Sequence, residues 1–368
     1  MKKKSSIFIA ATDQHIGKTT TSLGLLSAFK KRGIDVGYCK PLGQEYVVYG
    51  QEHVDKDVAL FAELMPFDVI PHLHSPVLTK RGMTEKYIDS PNHDELVAKI
   101  DTSAQMLREK HDTVLFEGTG HPGVGSIVGL SNADVARRIN AGVILVLKGG
   151  IGNTYDRYML CKRFFEAANA QILGVIINKI MPNKEEKVKE YLTKIFSKEK
   201  VEILGFVPHD QRLSCPLLST IAAELNADLL TPDDQLDRLV ENVVVGSLME
   251  IGTFHPDKRY LLVVSVSRLK PALNNLQEIW RSYNNMQPNL VGVLLSGPND
   301  PDKAELNFFV QNNITVMRTS FDTYETIQKI AHLEVKLNAK ATEKISRAID
   351  LFDEHVKIDR IVELITPK

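Results

Sequence analysis

The chain has 368 residues, of which 43% are hydrophobic and 25% are charged, and its formal net charge is −1. These are ordinary values for a globular protein, and the length suits two hydrophobic cores better than one. The near-zero net charge and the lack of a basic stripe argue against a nucleic-acid partner, which a protein binds chiefly through clustered lysine and arginine.

The cysteine pattern and the apolar runs point to a cytoplasmic protein. Cys39, Cys161 and Cys215 are far apart and none belongs to a Cys-x-x-Cys pair, which argues against a disulfide framework or a structural zinc site. No stretch approaches the ~20 apolar residues of a membrane span, and the start of the chain lacks the long apolar region of a signal peptide. We therefore expect no membrane partner.

Short apolar runs alternate with helical patterns along the first two-thirds of the chain. The runs are continuous rather than alternating, as in strands that helices cover on both faces. Such alternation predicts an α/β fold with a parallel sheet and right-handed crossovers. The predicted strands are 6–10, 35–40, 113–117, 141–147 and 172–178, and the predicted helices are 19–32, 57–64, 93–110, 131–140 and 156–168.

The pattern begins again after Gly205–Pro208. Predicted strands at 261–266, 290–295 and 314–318 are separated by segments of helical length, which indicates a second, smaller α/β domain. An amphipathic helix is predicted from Thr342 onward, either packed on the second domain or paired in a dimer. The predicted domains are therefore 1–218, 219–338 and a helical extension at 339–368.

The segment 11–20 reads ATDQHIGKTT and has the character of a phosphate-binding loop. The standard motif has glycine five residues before its Gly-Lys pair, where this chain has Thr12. A strand nevertheless enters the loop and a helix begins at Gly-Lys-Thr, so backbone N–H groups and the helix dipole face bound phosphates. The sequence predicts ATP and Mg²⁺ as cofactors, with contacts from Thr12, Asp13, Gln14, His15, Ile16, Gly17, Lys18, Thr19 and Thr20.

Three side chains of this motif region have predicted chemical roles. Lys18 would reach the β- and γ-phosphate oxygens, and the Thr19 hydroxyl would bind Mg²⁺. Glu117 ends a predicted strand beside the loop strand, which is where a magnesium-binding carboxylate lies in a P-loop sheet.

Together these residues resemble the P-loop domain of dethiobiotin synthetase and of the cobyrinic acid a,c-diamide and cobyric acid synthases. The loop Thr12–Thr19, the pair Lys40-Pro41 and the pair Glu117-Gly118 match the motifs of that group. The resemblance implies catalytic roles for Lys18, Lys40 and Glu117. It also implies that Asp57 binds magnesium, with Asp55 as a rival, and that Asn178 and Pro208 contact the nucleotide.

Two positions depart from the pattern of that group. Ala11 stands where the group has a glycine, and Gln44-Glu45 stands where the dethiobiotin type has Thr-Gly after its Lys-Pro pair. Dedicated contacts to a second substrate are therefore not recognisable.

The second domain is similar to a DRTGG domain over 291–302 and 314–323. The combination resembles the N-terminal region of long-form phosphate acetyltransferase across nearly all of the chain. The signature is altered, because Ser267-Arg268 replaces Asp-Arg and 296–298 reads SGP rather than Thr-Gly-Gly. No counterpart of the transferase domain is recognisable, so we do not expect this chain to make acetyl phosphate.

The sequence leaves two functions open. One is an ATP-binding, slowly hydrolysing regulator whose second domain senses a small acidic metabolite or a protein partner. The other is an ATP-dependent synthetase that activates a carboxylate or captures CO₂ on an amine, without a glutaminase domain. An ATPase that dimerises through a second loop lysine is disfavoured, because 12–15 contain no lysine. A homodimer of another kind stays open.

Overall fold

The computed structural model describes residues 5–65, 67–232, 235–250, 252, 254–255, 257–282 and 289–366. The chain divides into two compact units. The first unit is Met1–Asp210 together with Ile345–Lys368, and the second is Gln211–Lys344.

The first unit contains ten strands within the described residues. They are β1 (Ser5–Ala11), β2 (Val36–Cys39), β3 (Leu42–Gly43), β4 (Tyr46–Tyr49), β5 (Glu52–Asp55), β6 (Val77–Leu78), β7 (Thr113–Glu117), β8 (Gly142–Lys148), β9 (Ile172–Ile180) and β10 (Glu202–Pro208). Six of them form a parallel sheet in the spatial order β10-β9-β8-β1-β7-β2. The predicted α/β fold with a parallel central sheet is confirmed.

Helices cover both faces of this sheet, and its central strands are buried along most of their length. The helices of the first unit before β10 are α1 (Lys18–Lys31), α2 (Lys56–Leu64), α3 (Pro71–His74), α4 (Met83–Asp89), α5 (His93–Lys110), α6 (Asn132–Arg138), α7 (Gly152–Ala167) and α8 (Glu185–Phe196). The carboxyl ends of β1 and β7 lead directly into the segments 12–17 and 118–131.

Four short strands of the first unit were not predicted from the sequence. Strands β3 and β6 have two residues each and pair with one another, while β4 and β5 form an antiparallel hairpin. Two residues are too few to show any periodicity. The β4 strand is largely exposed, with Val48 at 72%, so it lacks the apolar alternation that marks a half-buried strand.

The second unit has a five-stranded sheet in the order β11-β15-β14-β13-β12. Only β11 is antiparallel to its neighbour within this sheet. A smaller second α/β unit was predicted, and the structure contains one. Its described elements are α9 (Leu218–Glu224), β11 (Asp228–Leu229), β12 (Asn242–Val245), β13 (Tyr260–Ser265), α10 (Leu269–Ser282), β14 (Leu290–Ser296), α11 (Lys303–Gln311), β15 (Thr315–Thr319) and α12 (Thr323–Ala331).

The C-terminal helices α13 (Thr342–His355) and α14 (Ile358–Ile365) differ from the expectation for 339–368. We expected them on the second domain or in a dimer, but from Ile345 onward they belong to the first unit. The backbone N–H of Lys357 donates to the Leu204 carbonyl at 2.7 Å, and Val356 forms a bridge with Gly205. Sequence periodicity shows that a helix has an apolar face but not which surface covers that face.

Candidate functional site

The candidate site begins where β1 gives way to α1. Gly17 precedes the first residue of α1 and has φ of 109°, which a residue with a Cβ rarely adopts. A Cβ at this position would lie 2.3 Å from Nδ2 of Asn178. Two independent features therefore require glycine at this position, its positive φ and its close contact with Asn178 of β9.

Replacing Gly17 with alanine should lower the free energy of unfolding by more than replacing Gly33, which is the matched control. Gly33 also has positive φ, at 70°, but its Cβ would meet nothing within 4 Å. Positive φ alone accounts for about 1–2 kcal/mol in both variants, and only Gly17→Ala must also displace Asn178. Urea unfolding measures both values, and equal losses would contradict the close packing at Gly17.

Lys18 lies buried beneath the loop, at 9% exposure. Its ammonium group donates to the carbonyl of Gly120 at 2.8 Å and to the carbonyl of Asp13 at 3.2 Å. Burial and the neighbouring Lys40 lower the pKa of Lys18 to about 8. Neutral carbonyl oxygens thus hold the lysine in the loop, and an anionic ligand there would favour its charged form.

A second group of polar side chains meets at the carboxyl ends of β2 and β7. The Lys40 ammonium donates to Oδ2 of Asp57 at 2.5 Å and to Oε1 of Glu117 at 3.1 Å. The same Glu117 oxygen accepts from the Thr19 hydroxyl at 3.0 Å. Tyr38 donates to the other oxygen of Glu117 at 3.1 Å. Four residues predicted from sequence (Thr19, Lys40, Asp57 and Glu117) therefore form one connected cluster with Tyr38.

Burial and charge perturb several groups of this cluster. Burial by itself lowers the pKa of Lys40, but the carboxylates of Asp57 and Glu117 outweigh it and raise that pKa above its usual range. Burial, opposed by Lys40, raises the pKa of Asp55 to about 7. Burial and the charge of Glu117 also raise the pKa of the Tyr38 hydroxyl. Strongly perturbed ionisable groups concentrated at one end of a sheet are typical of a functional site.

The donor set of the cluster fits a magnesium ion better at Asp57 than at Asp55. Magnesium takes oxygen ligands and is usually held by one or two carboxylates together with substrate phosphates. Asp57 and Glu117 each approach Lys40, whereas Asp55 accepts from the Asp57 backbone N–H as the N-cap of α2. Within the described residues there is no group of three or more acidic, histidine or cysteine side chains that would hold a metal unaided.

Asn178 and Lys179 brace the loop from the end of β9. Nδ2 of Asn178 donates to the carbonyl of Ile16 at 2.8 Å, and Nζ of Lys179 donates to the carbonyl of His15 at 2.7 Å. Pro208 pairs with Ile180 on the neighbouring strand and so lies at the same edge of the sheet. The predicted nucleotide contacts of Asn178 and Pro208 stay predictions.

The remaining loop residues differ in exposure. Asp13, Gln14 and His15 are exposed, Thr20 is half-buried on α1, and Thr12 and Ile16 are buried. The backbone N–H of Thr12 donates to the carbonyl of Val146 on β8 at 3.2 Å. The loop is thus fixed at its base and open at its tip, as a phosphate-binding segment requires.

Two residues of the site had no assigned role in the sequence analysis. Tyr38 precedes the Lys40-Pro41 motif on a buried strand, where a tyrosine hydroxyl needs a partner. Asn132, at the start of α6, accepts from the Thr119 N–H at 3.0 Å and donates to the carbonyls of Thr119 and His121, both at 2.7 Å. These hydrogen bonds hold the segment whose Gly120 carbonyl accepts from Lys18. The sequence did contain a signal for both residues. Tyr38 lies within an apolar strand and Asn132 lies at a helix start, and a polar side chain that is buried at such a position needs a hydrogen-bond partner.

A strand, a glycine-containing loop with a buried lysine, and a helix beginning at that lysine define a P-loop nucleotide-binding domain. The family model AAA_26, described as an AAA domain, matches residues 5–216. The chain belongs to this family.

Two kinds of curated protein are similar to this chain in sequence. The ATP-dependent dethiobiotin synthetase BioD of Methanococcus vannielii is 30% identical over 205 residues, which cover 55% of this chain and 92% of the relative. Phosphate acetyltransferases of Synechocystis and Nitrosomonas europaea are 25% and 23% identical over 97% of this chain. The alignment covers their N-terminal regions. The chain spans about half the length of these acetyltransferases, 51% in both cases.

Solved structures similar to this chain include the septum site-determining protein MinD of Pyrococcus horikoshii, complexed with Mg-ADP. It is 18% identical, covers 57% of this chain and 84% of its own, and has a TM-score of 0.38. A plasmid partition protein of Borrelia burgdorferi bound to AMPPNP is 16% identical, covers 58% of this chain and 90% of its own, and has a TM-score of 0.39.

Among the described residues, no helix combines the length and the apolar character that crossing a membrane would require.

Proposed function

We propose that this chain binds ATP with Mg²⁺ at the loop 11–20, hydrolyses it slowly and acts as a regulator. The observation that carries the proposal is the arrangement of Lys18, Thr19, Asp57 and Glu117 around one end of the sheet. Lys18 would bind the phosphates, while Thr19, Asp57 and Glu117 would hold the ion. A bound magnesium ion neutralises phosphate charge and acts as a Lewis acid during phosphoryl transfer.

Lys40 supports slow hydrolysis rather than synthesis. Lys40 is 5% exposed, and its ammonium group already faces two carboxylates. A carboxylate co-substrate would have to displace one of these partners, and breaking a buried pair leaves an uncompensated charge. The lysine therefore serves best as a counter-ion that holds Asp57 and Glu117 in place.

The second unit would supply the regulatory input. The altered signature residues Ser267 and Ser296 follow or end the neighbouring strands β13 and β14, and Ser265 of β13 lies opposite Ser296. Ser296 also shares a hydrogen bond of 2.7 Å with Thr323. Residues that end adjacent parallel strands line one edge of a sheet, where α/β domains commonly bind ligands. A small acidic metabolite or a protein partner would bind there and change nucleotide affinity reciprocally.

A second candidate function is an ATP-dependent ligase of the dethiobiotin synthetase or cobyrinic acid a,c-diamide synthase type. It is favoured by the 30% identity to a dethiobiotin synthetase across 92% of that enzyme. In this function Lys40 would leave its carboxylates when magnesium binds and would hold an acidic co-substrate in line with the γ-phosphate.

An ATPase assay on Lys40→Ala separates the two functions. For a regulator we expect ADP release well below about 1 s⁻¹ at saturating ATP, with no carboxylic acid or amine consumed by the wild type or the variant. For a ligase the wild type would consume a carboxylic acid or amine in step with ADP production, and Lys40→Ala would lose that consumption while keeping its ATP affinity.

The matched control for this assay is Lys56→Ala, because Lys56 is an exposed lysine one residue before Asp57. The control should behave as the wild type in both cases. Stoichiometric consumption of a defined acid or amine would refute the regulatory proposal. ATP affinity, measured in parallel by calorimetry, shows whether each variant is folded.

A further inference from the structure

A cavity of about 440 Å³ lies in the first unit, away from the candidate nucleotide site. Its lining comes from the end of α5 and the end of α6, and consists of Asp101, Ala104, Arg108, Arg137, Arg138 and Ile139. Arg108 bonds to Ser6, near the first residue of β1, whereas the phosphate loop follows the last residue of that strand. At ~3.3 Å per residue the two sites are about 15–20 Å apart.

The positive charge in this cavity is only partly compensated. Arg138 forms a two-pronged pair with Asp101, at 2.9 and 2.7 Å. Among the described residues, Arg108 donates only to neutral oxygens, to the Ser6 hydroxyl at 2.9 Å and to the Ile139 carbonyl. The Arg137 side chain has no hydrogen bond or ion pair within the described part of the chain. Three guanidinium groups thus share Asp101, the one carboxylate among the described residues that line the cavity.

Arg108 is the unusual member of this group. Burial lowers the pKa of its guanidinium, and no acidic partner among the described residues offsets that burial. Buried charge is normally paired, because removing it from water is unfavourable. A half-buried arginine that faces a cavity and has no acidic partner among the described residues is therefore suited to an anion from solution.

We propose that this cavity binds the phosphate group of a small phosphorylated molecule. A guanidinium group forms two parallel hydrogen bonds to phosphate, which gives both strength and orientation. Two arginines without an acidic partner match the charge of a phosphate dianion. The volume exceeds that of inorganic phosphate, so the cavity also has room for the organic part of a phosphomonoester. This site is independent of the proposed nucleotide-binding function.

Calorimetric titration of the full-length chain tests the site. The Lys18→Ala variant is used as the background, so that binding of phosphate at the loop 11–20 does not contribute. The probes are inorganic phosphate, glycerol 3-phosphate and succinate. We expect glycerol 3-phosphate to bind at one molecule per chain, more tightly than inorganic phosphate and succinate.

Arg137→Gln, added to that background, is the main variant, because Arg137 is exposed and its side chain supports no described contact. It should weaken binding about tenfold, as expected for loss of one charged hydrogen bond. Arg163→Gln, which removes an exposed arginine of α7, is the matched control and should leave the affinity within about twofold. Arg108→Gln should weaken binding further if it folds.

The proposal is wrong if neither phosphate binds below about 10 mM. It is also wrong if Arg137→Gln and Arg163→Gln bind glycerol 3-phosphate equally well, because the contacts would then lie elsewhere. Tighter binding of succinate than of both phosphates would contradict the assignment to phosphate.

Discussion

Replacing Phe352 with alanine should lower the free energy of unfolding of the first unit by about 3–5 kcal/mol. Phe352 on α13 is 1% exposed, and its ring fills the space that a side chain at Gly24 on α1 would need. Removing the ring leaves a cavity next to a glycine, and a glycine has no side chain that can move in to fill it. Chemical denaturation monitored by far-UV circular dichroism measures the loss.

The matched control is Glu354→Ala, an exposed position on the same helix. It should change stability by less than about 0.5 kcal/mol. Equal effects of the two substitutions, or a loss below about 1 kcal/mol for Phe352→Ala, would show that α13 contributes little to the first unit.

This packing also changes what is expected of a fragment ending at residue 218. From sequence we expected residues 1–218 to fold alone and to bind ATP. The structure places Phe352, Val356 and Ile361 in the core of the same unit, so the fragment would expose an apolar face of α1 and the edge strand β10. We expect this fragment to be less soluble and less stable than the whole first unit, and adding residues 345–366 in trans or by a linker should restore both properties.

The elements nearest to the candidate site were the easiest to predict. Continuous apolar runs identified β1, β7, β8 and β9, because a strand covered on both faces has no polar side. The loop 11–20 was recognisable although Thr12 replaces the first glycine of the motif. A predicted strand leads into the loop and a predicted helix begins at Gly-Lys-Thr, which is the arrangement of a phosphate-binding loop. Glu117 was predicted to bind magnesium because it lies at the end of a predicted strand.

Other features depend on contacts that a single sequence does not encode. The choice between Asp55 and Asp57 rests on which carboxylate faces Lys40 and which caps α2, and residues two apart look alike in sequence. The position of α13 depends on a glycine more than three hundred residues away in the chain. The arginines at the ends of α5 and α6 read as ordinary helix C-terminal cations until the fold brings them to one cavity.

Replacing Lys18 with alanine should weaken ATP binding by about 2–3 kcal/mol, which is about 30- to 150-fold in Kd. Lys18 is the buried cation of the loop, and the neutral carbonyls of Asp13 and Gly120 hold it in place. Phosphate oxygens would replace these neutral acceptors with anionic ones, so that the buried ammonium group would face opposite charge. Lys179 also lies at the loop, but its ammonium donates to the His15 carbonyl and so braces the backbone instead.

Calorimetry with ATP at saturating Mg²⁺ measures this difference, and Glu117→Gln is the informative companion variant. Glu117 contacts Thr19 and Lys40 rather than the loop carbonyls, so its loss should spare affinity at saturating Mg²⁺ but raise the Mg²⁺ concentration needed to reach it. Unchanged ATP affinity in a folded Lys18→Ala variant would remove the loop 11–20 as the phosphate site. If Glu117→Gln loses ATP affinity and no Mg²⁺ concentration restores it, Glu117 contributes to nucleotide binding independently of Mg²⁺.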